Sequence, residues 1–149
     1  MTDKPLSAAT SKLPLSLVLI TLNAGVRLRD VLASVPFADE IILVDSGSTD
    51  ETAAIAVEFG ARFEQHAWSG FGPQKAYAVS LACNDWVLCL DADEALSPAL
   101  AHSIRDAFRD GLPAYPVYRF ARCNVFMGRP LKHGEGYPDF NTRLFRRDA

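Results

Sequence analysis

Residues 86–94, WVLCLDADE, concentrate the chain's chemistry: an apolar run from Trp86 to Leu90 leads straight into Asp91 and Asp93, with Glu94 behind them. Two neighbouring carboxylates repel, and such a pair stays ionised when a cation sits between or beside them. Hard oxygen ligands of this kind suit magnesium or manganese, commonly shared with a phosphate. The apolar run suits a strand buried on both faces, so the acids fall at its carboxyl end. In an extended chain side chains alternate, which puts Asp91 and Asp93 on one side and Glu94 on the other. The plain alternative is a solvated turn whose acids cap the following helix.

The elements that must position these acids are readable along the chain. Residues 15–22 form an apolar, β-branched run ending in Thr21, Leu22 and Asn23. Gly25 breaks it, and Val26, Leu28, Val31, Leu32 and Val35 then recur close to helical spacing until Pro36. A second strand at 40–44 runs into Asp45. There Gly47 permits a turn, and Ser48 with Glu51 has the spacing of a capping box for a helix ending at Gly60. Residues 61–66 read as a short third strand, 68–73 as a loop made irregular by Gly70, Gly72 and Pro73, and 74–83 as a helix leading to the central strand. Ser97 with Pro98 starts another helix, with Leu100, Ile104 and Phe108 on one face. From Tyr115 the pattern changes to alternating runs, 117–120 and 142–146, separated by a glycine-rich loop.

Alternation of strand and helix through two thirds of the chain predicts a parallel, right-handed wound sheet with helices on both faces. Ligands of such sheets bind outside the carboxyl ends of the strands. Polar residues fall at that edge three times, as Thr21 and Asn23, as Asp45, and as Asp91 and Asp93, which predicts a binding crevice.

With 149 residues, 49% hydrophobic and a formal net charge of -3, the composition excludes a disordered or nucleic-acid-coating chain. No apolar run is long enough to cross a bilayer. Residues 1–14 are polar, with scattered apolar residues, and read as a flexible leader before one domain at 15–149. Cys83, Cys89 and Cys123 have no metal-like spacing and are expected as small core residues in a reducing cytosol.

Taken in order, LVLITLNAG, EIILVDSGSTDET, GFGPQKAYAVSLACNDW and VLCLDADEAL resemble the nucleotide-sugar half of family 2 glycosyltransferases. The resemblance implies an α/β GT-A fold, a Rossmann-like wound, mostly parallel sheet with helices on both faces. The closing HGEGYPDFNTRLFRR is similar to the subgroup that adds a sugar to the lipopolysaccharide core of Gram-negative bacteria, described as β-1,4-glucosyltransferase-like. It implies an inverting transfer of a hexose from a UDP-sugar to a lipopolysaccharide-core or other glycan acceptor.

By the same resemblance, Asp45 contacts the uracil or ribose of the donor, the plain alternative being a turn aspartate, and Thr21 and Asn23 either shape the nucleotide pocket or are ordinary turn residues. Asp91 and Asp93 match the metal motif, with Asp93 the direct ligand of a Mn²⁺ or Mg²⁺ ion held by the diphosphate. Lys75, a cation in the first turn of a helix, either meets a donor phosphate or base or is simply solvated. The base that deprotonates the acceptor hydroxyl is Glu135 or Asp139; His133 reads as a loop residue.

Chains of this family usually continue beyond the RLFRR strand, so residues 15–149 read as a domain incomplete at its carboxyl end, with the last strand an open apolar edge. The basic section from Arg119 onward suits a polyanionic or phosphorylated lipid acceptor and peripheral association with the inner membrane, with no nucleic-acid partner. Two rivals stand beside the transferase: a truncated, non-catalytic nucleotide-sugar binder, and a phosphatase using the first aspartate of a DxD as nucleophile. The phosphatase motif belongs on a first strand, whereas here it follows the fourth.

Overall fold

The structure is a computed structural model and describes residues 11–132 and 137–149. The elements run β1 (Leu13–Thr21), α1 (Gly25–Ala33), β2 (Ala38–Asp45), α2 (Thr52–Glu58), β3 (Arg62–Gln65), α3 (Phe71–Ser80), β4 (Trp86–Cys89), α4 (Pro98–Ala107), β5 (Val117–Arg122), β6 (Val125–Phe126), β7 (Arg129–Pro130) and β8 (Asp139–Arg146). Six strands form one sheet in the order β3-β2-β1-β4-β8-β5, and β6 with β7 makes a separate hairpin. The first four of that order are mutually parallel, whereas β8 runs antiparallel to both β4 and β5. The sheet is mostly parallel with helices on both faces, as the GT-A expectation requires.

Strand periodicity sorts the core into two layers. Leu15, Leu17 and Leu19 of β1, Leu43 of β2, and Trp86 and Leu88 of β4 pack with Leu28 and Leu32 of α1, Ile55 of α2, and Ile104 of α4. The alternate residues Val18, Ile42, Val44, Val87 and Cys89 pack on the other face against Ala78 of α3 and Ala82. Each fully buried leucine or isoleucine contributes about 2 kcal/mol. Both faces being covered accounts for the unbroken apolar runs of these strands.

Several boundaries differ from the sequence reading. β1 begins at Leu13, inside the expected leader, because the Leu13 amide bonds to the Phe37 carbonyl and Lys12 reaches the Pro36 carbonyl. The Ser48–Glu51 capping box does not form, since the Ser48 hydroxyl is occupied by Asp45 and α2 starts at Thr52. Gly60, with φ +68°, does close α2: its amide bonds to Val57 and that of Ala61 to Ala56, a Schellman arrangement. The loop expected at 68–73 is already helical from Phe71. Pro73 is tolerated there because first-turn amides have no intrahelical partner.

Ser97 caps α4 as read, accepting from the Leu100 amide at 3.1 Å. Cys89 is buried, but Cys83 and Cys123 are exposed rather than in the core. The last strand is not the sheet edge: β8 is inserted between β4 and β5, leaving β5 and β3 outermost.

Candidate active site

Strands β1, β2 and β4 end side by side, and two acidic turns leave that edge. At the end of β2, Asp45 is fully buried. Its Oδ1 accepts from the hydroxyls of Thr21 at 2.7 Å and Ser48 at 2.5 Å. Its Oδ2 accepts from the amides of Gly47 at 2.9 Å and Ser48 at 2.7 Å. Burial pushes this carboxyl upward, but the bonds from Ser48, Thr21 and Gly47 outweigh it and hold Asp45 below the usual carboxylate range. Thr21 can reach it because the two residues are register partners.

Asn23, with φ +49°, ties the β1 exit to the same turn. Its side-chain oxygen accepts from the Thr49 amide at 2.8 Å, and its own amide donates to the Ser48 hydroxyl at 2.7 Å. The next helix is capped across this junction, since the Gly25 amide donates to Asp50 at 2.9 Å. A β-carbon on Gly25 would lie 2.8 Å from that carboxylate and from the Glu51 side chain, so any other residue would push them aside.

At the end of β4 the acids do not continue as an extended strand. A turn brings the Glu94 amide to the Asp91 carbonyl at 3.0 Å, while the Glu94 carboxylate accepts from the Asp91 amide at 3.0 Å. Glu94 is therefore folded back toward Asp91 instead of pointing away. Lys75 on α3 pairs with Asp91 Oδ1 at 2.6 Å. Arg143 on β8 donates to Glu94 at 2.8 Å and 3.0 Å and to Asp91 Oδ2 at 3.4 Å. Burial opposes the charge of Arg143, but the Glu94 hydrogen bond and the nearby acids raise it above the ordinary arginine value. The register pair Leu88↔Leu144 carries Arg143 to this turn.

Asp93 is exposed and has no hydrogen-bond or ion-pair partner among the described residues. It lines two clefts at once. The first, of about 530 Å³, lies between the β1 and β4 exits and is bounded by Leu22, Asn23, Val26, Phe71, Lys75 and Asp91. The second, of about 560 Å³, lies toward β5 and β8 and is bounded by Glu94, Leu100, Phe120, Arg122, Asn141 and Arg143. Arg27 shares with Asp93 the rim common to both.

The structure thus brings Asn23, Lys75, Asp91 and Asp93 to one cleft. Thr21 and Asp45 stand behind it, bonded to each other, and neither lines the cleft. Lys75 lies in the second turn of a helix starting at Phe71, and its partner is Asp91 rather than solvent. Asp139 pairs with Arg122 at 2.7 Å and lines neither cleft. Glu135 and His133 lie outside the described residues.

Sequence reasoning missed Arg143, Glu94 and Arg27. Strand alternation puts Glu94 directly behind the acidic pair but pointing away from it; Arg143 is 52 residues from Asp91 and carries no local signal.

A family model described as Glycosyl transferase family 2 matches residues 16–148. The chain belongs to glycosyl transferase family 2. An uncharacterised glycosyltransferase of Rickettsia felis is 44% identical to it over 95 residues, 63% of this chain and 34% of that protein. The lipopolysaccharide core biosynthesis glycosyltransferase LpsC of Rhizobium meliloti is 34% identical over 139 residues, 89% of this chain and 48% of LpsC. The crystal structure of S. aureus TarS 1-349 aligns with a TM-score of 0.58 at 18% identity, over 89% of this chain and 46% of that one, a likeness of fold. This family 2 chain thus spans between 34% and 48% of the length of these proteins. The phosphatase reading falls with the family assignment.

Proposed function

We propose that this chain binds the diphosphate of a UDP-linked hexose in the cleft between β1 and β4 and transfers the sugar, with inversion, to an acceptor in the second cleft. The observation that carries this is Asp93, an unpartnered carboxylate on the rim shared by both clefts. A donor on one side and an acceptor on the other would meet there.

Among the described residues no group of three or more His, Cys, Asp or Glu side chains could hold a metal by itself. The donor set fits an ion shared with substrate phosphate instead. Mg²⁺-type ions commonly take one or two carboxylates plus phosphate oxygens, and Asp93 provides one without a competing partner. Asp91 is the second, once Lys75 or Arg143 yields an oxygen. Bound there, Mn²⁺ or Mg²⁺ would neutralise the departing nucleoside diphosphate as a Lewis acid.

The chain's own residues do the rest. Asn23 offers polar contacts beside the apolar Leu22, Val26 and Phe71, a combination suited to a base and ribose. Arg27 and Lys75 supply positive charge for phosphate oxygens. The acceptor proton would go to Glu135 or Asp139, and Asp139, which lines neither cleft, would first have to release Arg122 and turn toward the acceptor. Likeness to LpsC supports a lipopolysaccharide-core acceptor, and three free thiols suit a cytosolic setting.

The deciding experiment titrates UDP and UDP-glucose calorimetrically into the chain, with Mn²⁺ or with chelator, and repeats it with Asp93→Ala. Metal-dependent binding that falls at least about tenfold in the variant is expected, the loss of one direct ligand. A folded wild-type chain that binds neither nucleotide with metal rules the reading out. Binding without sugar transfer selects the non-catalytic donor-binding alternative.

A further inference from the structure

The β6–β7 hairpin has no role in either acidic turn, yet it carries three exposed apolar side chains in a row, among them Met127, the most exposed large apolar side chain of the second half among the described residues. Val125 is 61%, Phe126 65% and Met127 87% exposed, and Leu131 just beyond is 40% exposed. Met127 and Gly128 both take positive φ, +48° and +76°, so the chain reverses in two residues with Phe126 opposite Arg129. An isolated two-stranded hairpin exposing its apolar residues gains little from folding alone and needs a surface to cover it.

Along its own segment the charge has one sign. From residue 117 to 132 there are four basic residues, Arg119, Arg122, Arg129 and Lys132, and no Asp or Glu, on a chain whose formal net charge is -3. Arg122 is neutralised by Asp139, and Arg119 lies over the ring of Phe140, itself 51% exposed. Arg129 and Lys132 have no ion-pair partner among the described residues. An apolar tip flanked by unspent cations complements an anionic lipid surface, where rings and methyls enter the acyl boundary and cations meet headgroup phosphates. No helix among the described residues is long and apolar enough to cross a membrane.

We infer that the β6–β7 hairpin is a membrane-docking wedge, inserting Phe126 and Met127 into an anionic bilayer while Arg129 and Lys132 contact its headgroups. Its root, Cys123 to Val125, forms part of the second cleft's rim, so docking turns that cleft toward the lipid surface. The wedge stands whether or not the donor cleft is catalytic.

The test is flotation of the chain with vesicles of phosphatidylglycerol and phosphatidylcholine against phosphatidylcholine alone. Binding only to the anionic vesicles is expected, about tenfold weaker for Phe126→Ser with Met127→Ser, the loss of two buried apolar groups. Arg129→Gln and Lys132→Gln should each weaken it about fivefold at low salt. In Met127→Trp, emission should shift to the blue with anionic vesicles. All these side chains are exposed, so circular dichroism should show the variants folded. Equal flotation with and without anionic lipid, anionic binding indifferent to the tip substitutions, or a self-association that the tip substitutions abolish without any vesicle binding would each overturn the assignment.

Discussion

At the end of β2, Asp45 is surrounded by neutral donors, two hydroxyls and two amides; at the end of β4, Asp91 is surrounded by cations. The same residue type, at the same edge of the same sheet, is stabilised in opposite ways. Asp45 is out of water and its partners come mostly from its own turn, so its geometry is stiff. The side chain of Asp91 is 34% exposed, and the cations that hold it sit on long side chains from α3 and β8. Such pairs are screened by salt and can be exchanged for other charges. The first turn is scaffold for the cleft, and the second, held by exchangeable charges, is the part able to rearrange.

The sharpest way to break this comparison is Asp45→Ala. It leaves the Thr21 and Ser48 hydroxyls and two turn amides without their acceptor, and unsatisfied buried donors cost about 1–3 kcal/mol each. Stability to urea should fall by about 4 kcal/mol, a large share of a domain's total. A loss under about 1 kcal/mol would mean that water or neighbours replace the carboxylate and that the turn is no scaffold.

Arg143→Met should cost less, about 2 kcal/mol, because Glu94 keeps the Asp91 amide and Asp91 keeps Lys75. The side chains of Arg143 and Glu94 are only 13% and 15% exposed, so the effect should exceed that of an exposed ion pair. It should also persist in high salt; an effect abolished by 0.5 M salt would assign Arg143 to ordinary surface charge.

The smallest effect separates the turns by pH. The folded pKa of Asp45 lies below its unfolded value, so its contribution is fully present above the unfolded pKa, near 4, and is lost as pH falls through the folded one. Wild type should therefore lose stability on acidification below about pH 4, and Asp45→Asn should flatten that slope in a denaturation series. An unchanged slope would place the acid-sensitive groups elsewhere.

Legibility followed the range of the interaction. The helix-closing Gly60, the Ser97 cap with Pro98, and the polar strand exits were readable because their partners lie within a few residues or follow from strand periodicity. Ser48 was misread because two acceptable local partners competed, and its hydroxyl went to Asp45 rather than serving α2. Pro73 was misread as a helix breaker because the sequence does not show where the first turn lies.

By itself the sequence determined the alternation of strands and helices, the two apolar faces of the sheet, and the appearance of Asn23, Asp45, Asp91 and Asp93 at one edge. These follow from spacing and from contacts a few residues long. Only the tertiary structure decided that Asp45 is buried and saturated, that Glu94 folds back on Asp91, and that Lys75 and Arg143 neutralise the pair. Those outcomes depend on β8 entering between β4 and β5 and on α3 packing against β1, β2 and β4. Which charges share a low-dielectric space is set by that packing across 16 to 52 residues of chain, where no local pattern records it.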